Sequence, residues 1–197
     1  MKKNILIFVL LFLGLTQESF SSSGDPKQFI TEIVNNVKKV LVDTNTKEVK
    51  TNELSKIALA AVDINGIGYY SLGKYRKELN DEQMVEYLSL FEKYFLKSFT
   101  SRLTDYSDPK INVLNAEVIN PKYTIVKSVL LATDKKPEVK IDWRIYTKDP
   151  NNPLIRDLII EGLSLARTQK EEFASVIESN DGDVSKLFIT LKAFITK

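Results

Sequence analysis

Carboxylates are the side chains in this sequence best suited to acid–base chemistry. Asp157 and Glu161 lie four residues apart in a β-rich run, and Asp63 precedes a glycine-containing segment. Two residues four apart on one strand share a face but lie about 13 Å from each other, which is too far for a glycosidase pair. We therefore predict that these carboxylates form structural hydrogen bonds to neighbouring turns.

The remaining catalytic chemistry is limited because the chain contains no histidine and no cysteine. This composition excludes a His-based triad, a thiol nucleophile and the usual zinc ligands. The serines, lysines and carboxylates are not organised by a nucleophile elbow, a P-loop or an EF-hand pattern. The sequence thus predicts a protein that is not an enzyme, with no catalytic residues, no metal and no cofactor.

The first 23 residues have the three-part layout of a secretory signal peptide. Lys2 and Lys3 precede an apolar run at residues 5–15, and a Ser-rich stretch follows. That run is shorter than the roughly 20 residues that cross a bilayer as a helix. We predict cleavage near Ser23, export, and a single domain over residues 24–197. The formal net charge of +2 offers no broad basic field for nucleic acid, and a monomer is expected.

Helical patterns occupy both ends of the predicted domain. Asp25 before Pro26 is a helix N-terminal signal, and Asn80-x-x-Gln83 is a capping box. The capping box opens an aromatic helix that we predict to end near residue 103. A third helix start is predicted at the Thr168-x-x-Glu171 box.

Four β-rich runs lie between these helices, at residues 111–119, 123–132, 139–147 and 154–161. Short turns rich in Pro, Asn and Asp separate the runs and predict an antiparallel meander. One apolar face of such a sheet needs a cover, and we expect the aromatic helix to provide it. The predicted fold class is α+β, a four-stranded antiparallel sheet covered by N-terminal and C-terminal helices.

Two segments resemble a known family. Residues 63–103 join a Gly-containing aromatic turn, LGKYR, to the long aromatic helix. The KIDWRIY strand at residues 140–146 is followed by the D-x-x-x-E-G-x-S element at residues 157–164. Together they resemble the MlaC family, the periplasmic phospholipid-binding proteins also named for toluene tolerance or organic-solvent resistance.

The resemblance implies a soluble periplasmic carrier with an apolar cavity between the sheet and the helices. Family members move phospholipid between an outer-membrane lipoprotein–porin complex and an inner-membrane ABC transporter that bears an MCE-domain ring. The expected lining residues are Ile67, Tyr70, Tyr75, Leu88, Phe91, Phe95, Phe99, Val113, Ile125, Val129, Ile141, Trp143, Ile145 and Ile160. The alternative is that each of these side chains is part of an ordinary core.

Three cations beside the aromatic turn, Lys74, Arg76 and Lys77, are candidates for contacts with a lipid head group. The alternative for these residues is a solvated surface. Two other functions stay open at this point. One is a carrier of a different envelope lipid, such as a hopanoid, and the other is an envelope adaptor with a solid core or a weak hydrolase.

Overall fold

The computed structural model describes residues 24–134 and 136–197, so the predicted signal peptide lies outside the described residues. In chain order the elements are α1 (Pro26–Val42), α2 (Lys47–Ala61), α3 (Ile64–Leu72), a 3₁₀ helix (Gly73–Lys77), α4 (Asp81–Leu103), β1 (Ile111–Asn120), β2 (Tyr123–Leu130), β3 (Val139–Tyr146), β4 (Leu154–Ile160), β5 (Leu163–Ser164), α5 (Leu165–Glu178) and α6 (Ser185–Thr196). The predicted α+β class is confirmed.

The sheet is an antiparallel meander in the order β1-β2-β3-β4-β5. Its four long strands lie where the sequence predicted them, because Pro- and Asn-rich turns end each run. The strand count is five rather than four. The additional strand, β5, has two residues and pairs with the end of β4 after a turn at Glu161 and Gly162, both of which have positive φ.

The N-terminal helix caps form as predicted. The Asp25 carboxylate accepts the backbone N–H of Lys27 at 2.9 Å. At the start of α4 the backbone N–H of Gln83 donates to the Asn80 side chain at 2.8 Å. The Gln83 side chain in turn accepts the N–H of Asn80 at 3.0 Å, which completes the capping box.

The predicted start of the next-to-last helix is wrong. Helix α5 begins four residues earlier than expected, with Ser164 as its N-cap, and the Ser164 hydroxyl accepts the N–H of Arg167 at 3.1 Å. Thr168 lies inside the helix, where its hydroxyl donates to the Ser164 carbonyl. The Ser164 hydroxyl satisfies one of the free N–H groups of the first helical turn, which favours a helix start at this serine over the later box.

Some of the helices contact the sheet directly. Helix α1 packs on β1 and β2, and α5 packs on β4. The expectation that α4 covers the sheet directly is wrong, since its main neighbours are α3, α6 and α2. Among the described residues, no helix combines the length and apolar character needed to cross a membrane.

Candidate functional site

The apolar interior is divided into two clusters. The first, which we call the helical core, joins α3, α4, α5 and α6 around Tyr87 and Phe91. The second, the sheet core, joins α1 to the central strands around Val126 and Ile145. Val62, between α2 and α3, packs against both clusters. The layers are therefore joined at the α2–α3 connection while each has its own buried centre.

Helix α3 approaches α4 closely at Gly68. A Cβ atom at Gly68 would lie 2.9 Å from a ring carbon of Phe91 and 3.2 Å from a methyl carbon of Leu88. The buried Tyr87 hydroxyl donates to the Gly68 carbonyl at 3.1 Å. Burial raises the pKa of Tyr87 above its ordinary value, so the phenol stays protonated as a donor.

Five of the predicted lining residues belong to this helical part of the molecule. Ile67, Tyr75 and Phe91 are buried in the helical core, and Leu88 packs against it. Tyr70 instead lies at the surface with 45% of its area exposed. The structure thus places four of these side chains in or against the helical core and leaves Tyr70 at the surface.

The second half of α4 has a different environment. Phe95 and Phe99 are only partly buried. Their rings stack on each other with centroids 5.9 Å apart and an interplanar angle of 9°. Phe95 also lies 6.4 Å from the ring of Phe91. These aromatic side chains extend the helical core toward the C-terminal end of α4 without being enclosed by it.

Partly buried apolar side chains also line one face of the sheet. Ile141 is paired with Ile160 and Trp143 is paired with Leu158 across β3 and β4. Residues directly opposite each other in an antiparallel pair share a face. Val113 of β1 and Ile145 of β3 are on this face as well. Their partners in β2, Ser128 and Thr124, are each two residues from Val126, which is paired with Trp143, and residues two apart on a strand share a face.

The indole of Trp143 is held on this face by hydrogen bonds. Its Nε1 donates to the Ser128 hydroxyl at 2.8 Å, and that hydroxyl donates to the Ile141 carbonyl at 3.0 Å. Ser128 is buried, so the indole N–H finds its hydrogen-bond partner inside the protein. The ring is therefore fixed while part of its area stays uncovered.

Ile125 and Val129 are not brought to this face. Ile125 is opposite Arg144, and Val129 is opposite Lys140, in the β2–β3 ladder. Both therefore project from the side of the sheet that carries the polar residues of β3, because side chains alternate along a strand. The expected lining set loses these two residues.

The carboxylates considered for catalysis have structural roles, as predicted. Asp157 is buried and accepts hydrogen bonds from the Ser164 hydroxyl at 2.6 Å and the Ala166 N–H at 3.0 Å. A nitrogen of Arg144 lies 3.3 Å from the same carboxylate. Asp157 thus fixes the turn from β4 into α5, which accounts for the D-x-x-x-E-G-x-S element. No group of three or more potential metal-ligating side chains occurs in the described chain.

Arg156 is a cation with several partners that the sequence pattern did not single out. Its Nε donates to the Asp63 carboxylate at 2.6 Å, and one Nη donates to the Tyr123 hydroxyl at 2.9 Å. Its guanidinium carbon lies 3.8 Å from the ring centre of Tyr146. Asp63 also accepts the N–H of Gly66 and so caps α3. The sequence signal for this contact between sheet and helices was an arginine within the apolar run of β4.

The predicted head-group cations lie far from the second half of α4. Lys74, Arg76 and Lys77 are exposed on the 3₁₀ helix, which precedes the α4 N-cap Asn80. At the usual rise per residue, Phe99 lies about 28 Å along the helix from that cap. The structure therefore does not bring the three cations together with the partly buried aromatic pair.

Two surface grooves adjoin the helical core. One, of about 280 Å³, lies between α4 and α6 beside Phe188 and Ile189. The other, of about 170 Å³, lies between Gly73 and Lys170. Neither groove is lined by a strand residue, so the apolar cavity expected between sheet and helices stays a prediction.

Comparison with known proteins gives one family and one fold. The model of the family described as MlaC protein matches residues 27–193. A solved structure with a similar fold is the phospholipid-binding protein from Ralstonia solanacearum in complex with a phospholipid, with a TM-score of 0.73. The two chains are 19% identical, and the match covers 87% of this chain and 97% of the other. No curated protein matches the sequence significantly.

Proposed function

Since the family model spans residues 27–193, this chain belongs to the MlaC family, and we propose that it binds a phospholipid and carries it through the periplasm. The acyl chains lie between the apolar face of the sheet and the second half of α4. The observation that carries this proposal is the divided interior, in which apolar side chains of both layers are left partly buried beside two separate cores.

The structure narrows the residues that we propose as the lipid contacts. The proposed contacts from the helices are Phe95 and Phe99 of α4. The proposed contacts from the sheet lie on its partly buried apolar face. The sheet residues in this set are Val113, Ile141, Trp143 and Ile160, with the buried Ile145 beneath them. Ile67, Tyr75, Leu88 and Phe91 support the site from the helical core rather than lining it.

Transfer energetics favour an adaptable apolar site over a set of polar anchors. A diacyl lipid has about thirty methylene groups, each worth roughly 0.8 kcal/mol on leaving water, so unaided passage through water is prohibitive. A bilayer is as apolar as a protein pocket, and transfer between them therefore has a small net free energy. A carrier that loads and unloads needs this near-balance.

The proposal extends to the route of the lipid. We propose that the mature chain is a monomer that exchanges phospholipid with an inner-membrane ABC transporter bearing an MCE-domain ring and with an outer-membrane lipoprotein–porin complex. The role is binding and transport rather than catalysis. The position of Asp157 supports this, since the carboxylate is buried and its two oxygens hold the Ser164 hydroxyl and the Ala166 N–H rather than facing a groove where a substrate could bind.

The direct test is organic extraction of the protein purified from the periplasm, followed by mass spectrometry and phosphate analysis. We expect about one diacyl phospholipid for each chain. A polycyclic triterpenoid in the extract, in place of phospholipid, would identify a hopanoid as the cargo. Protein that is free of lipid after gentle purification, and that takes none from vesicles, would contradict the proposal.

A further inference from the structure

The segment at residues 69–77, YYSLGKYRK, combines aromatic and basic side chains without any acidic residue. Tyr69 and Tyr70 are 42% and 45% exposed, although their helix also contributes to the helical core. Gly73 ends α3 with positive φ and starts the 3₁₀ helix, on which Lys74, Arg76 and Lys77 are exposed. Exposed tyrosines and cations are therefore presented together at the surface.

A cation from α5 joins the segment. The ammonium of Lys170 lies 5.4 Å from the ring centre of Tyr70, and its aliphatic stem crosses Gly73. This arrangement forms the groove of about 170 Å³, which Lys74 and Lys170 border. We call the set Tyr70, Lys74, Arg76, Lys77 and Lys170 the basic aromatic patch.

The charges of the patch are not all neutralised by the protein. Lys74 lies 3.1 Å from Glu178, and hydrogen bonding to that carboxylate raises the pKa of Lys74. Arg76 and Lys77 have no ion-pair or hydrogen-bond partner among the described residues, although Glu78 follows them in the chain. The patch therefore keeps two cations, Arg76 and Lys77, that no carboxylate of the described residues pairs with.

We propose that the basic aromatic patch docks the protein on the surface of an anionic bilayer. Lysine and arginine are attracted to the negative potential of such a surface, and tyrosine prefers the interface between head groups and water. The patch offers both kinds of side chain on one short segment, without the long apolar face that would insert deeply. The attraction is reversible, as a protein that moves between two membranes requires.

The patch is separate from the proposed acyl-chain site. It lies beside the N-terminal end of α4, whereas Phe95 and Phe99 lie in the second half of that helix. Docking through the patch therefore leaves the partly buried aromatic pair uncovered by the bilayer contact. This inference goes beyond the proposed function, and either one can fail without the other.

The test is co-sedimentation of the purified protein with vesicles of phosphatidylcholine, with and without phosphatidylglycerol. We expect binding to the anionic vesicles only, weakened by added salt. The double variant Arg76→Gln/Lys77→Gln should bind them about thirty-fold more weakly, from the usual contribution of each basic residue near an anionic surface. The matched control, Lys39→Gln/Lys47→Gln, removes two exposed cations from α1 and α2 and should bind like the wild type.

The lipid content of each variant is measured in the same samples. Weak vesicle binding with unchanged bound lipid supports docking through the patch. Equal binding of the patch variant and the control would overturn it, as would equal binding of the wild type to neutral and anionic vesicles. Loss of bound lipid from the patch variant would also overturn it, because the cations would then contact cargo. Absence of lipid from the wild type would count against the carrier proposal alone.

Discussion

Replacement of Phe95 by glutamate tests where the acyl chains lie. The ring is partly buried and lies between those of Phe91 and Phe99, with centroids 6.4 Å and 5.9 Å away. A carboxylate at this position faces hydrocarbon if lipid is bound between α4 and the sheet. We therefore expect Phe95→Glu to lose its lipid while keeping its fold.

The two effects differ in size. Removing a fully buried phenylalanine costs about 3–5 kcal/mol, so a partly buried ring should cost about 2 kcal/mol of unfolding free energy. A glutamate that is forced into hydrocarbon at neutral pH has to take up a proton, which costs about 4 kcal/mol from its ordinary pKa. The lipid should then be retained at least about a hundred-fold less strongly.

The assay is phosphate content per chain after purification, with the melting temperature from circular dichroism. The matched control is Phe194→Glu, which places the same charge on a ring that is 37% exposed and lies 4.9 Å from Tyr94. Lys38→Glu, which breaks only an exposed ion pair with Asp108, is a second control. Lipid at the wild-type level in Phe95→Glu, or an equal loss in Phe194→Glu, would refute this location for the acyl chains.

Two further substitutions test the contact between sheet and helices at Arg156 and the contact between α3 and α4 at Gly68. Arg156→Gln should lower the unfolding free energy in urea by about 1–3 kcal/mol, because it removes the bonds to Asp63 and Tyr123 and the stacking on Tyr146. Arg156→Lys should recover only part of this, and full recovery would show that charge alone matters. Gly68→Ala should also cost about 1–3 kcal/mol, because its Cβ meets a ring atom of Phe91 at 2.9 Å. An unchanged urea midpoint would show that α3 shifts freely along α4.

Local chemistry explains which parts of the fold were predictable from the sequence. The Asn80-x-x-Gln83 box and the Asp25 cap form as expected because each satisfies backbone N–H groups within a few residues. The ends of the long strands are similarly set by adjacent Pro- and Asn-containing turns. Thr168 was misleading because a capping pattern is equally compatible with a helix interior, and Ser164 upstream is the N-cap.

The composition of the site depends on contacts that are distant in sequence. Strand β2 reads as apolar on both sides, so its own residues do not reveal that Ile125 projects away from Trp143. Only the register against β3 decides this. The separation of Lys74 from Phe99 likewise follows from the length and direction of α4, which a list of neighbouring residue types does not convey.

The divided interior has an energetic consequence for the lipid binding that we propose. Partly buried rings such as Phe95 and Trp143 forgo some of the roughly 25 cal/mol per Å² that complete burial of their apolar area supplies. A single closed core would recover this stabilisation and would resist entry of a lipid by the same amount. The polar contacts of Arg156 and Asp157 connect the sheet to the helices without burying further apolar area. If the chain carries lipid as proposed, the stabilisation that these rings forgo is available to the bound acyl chains, and its modest size permits release.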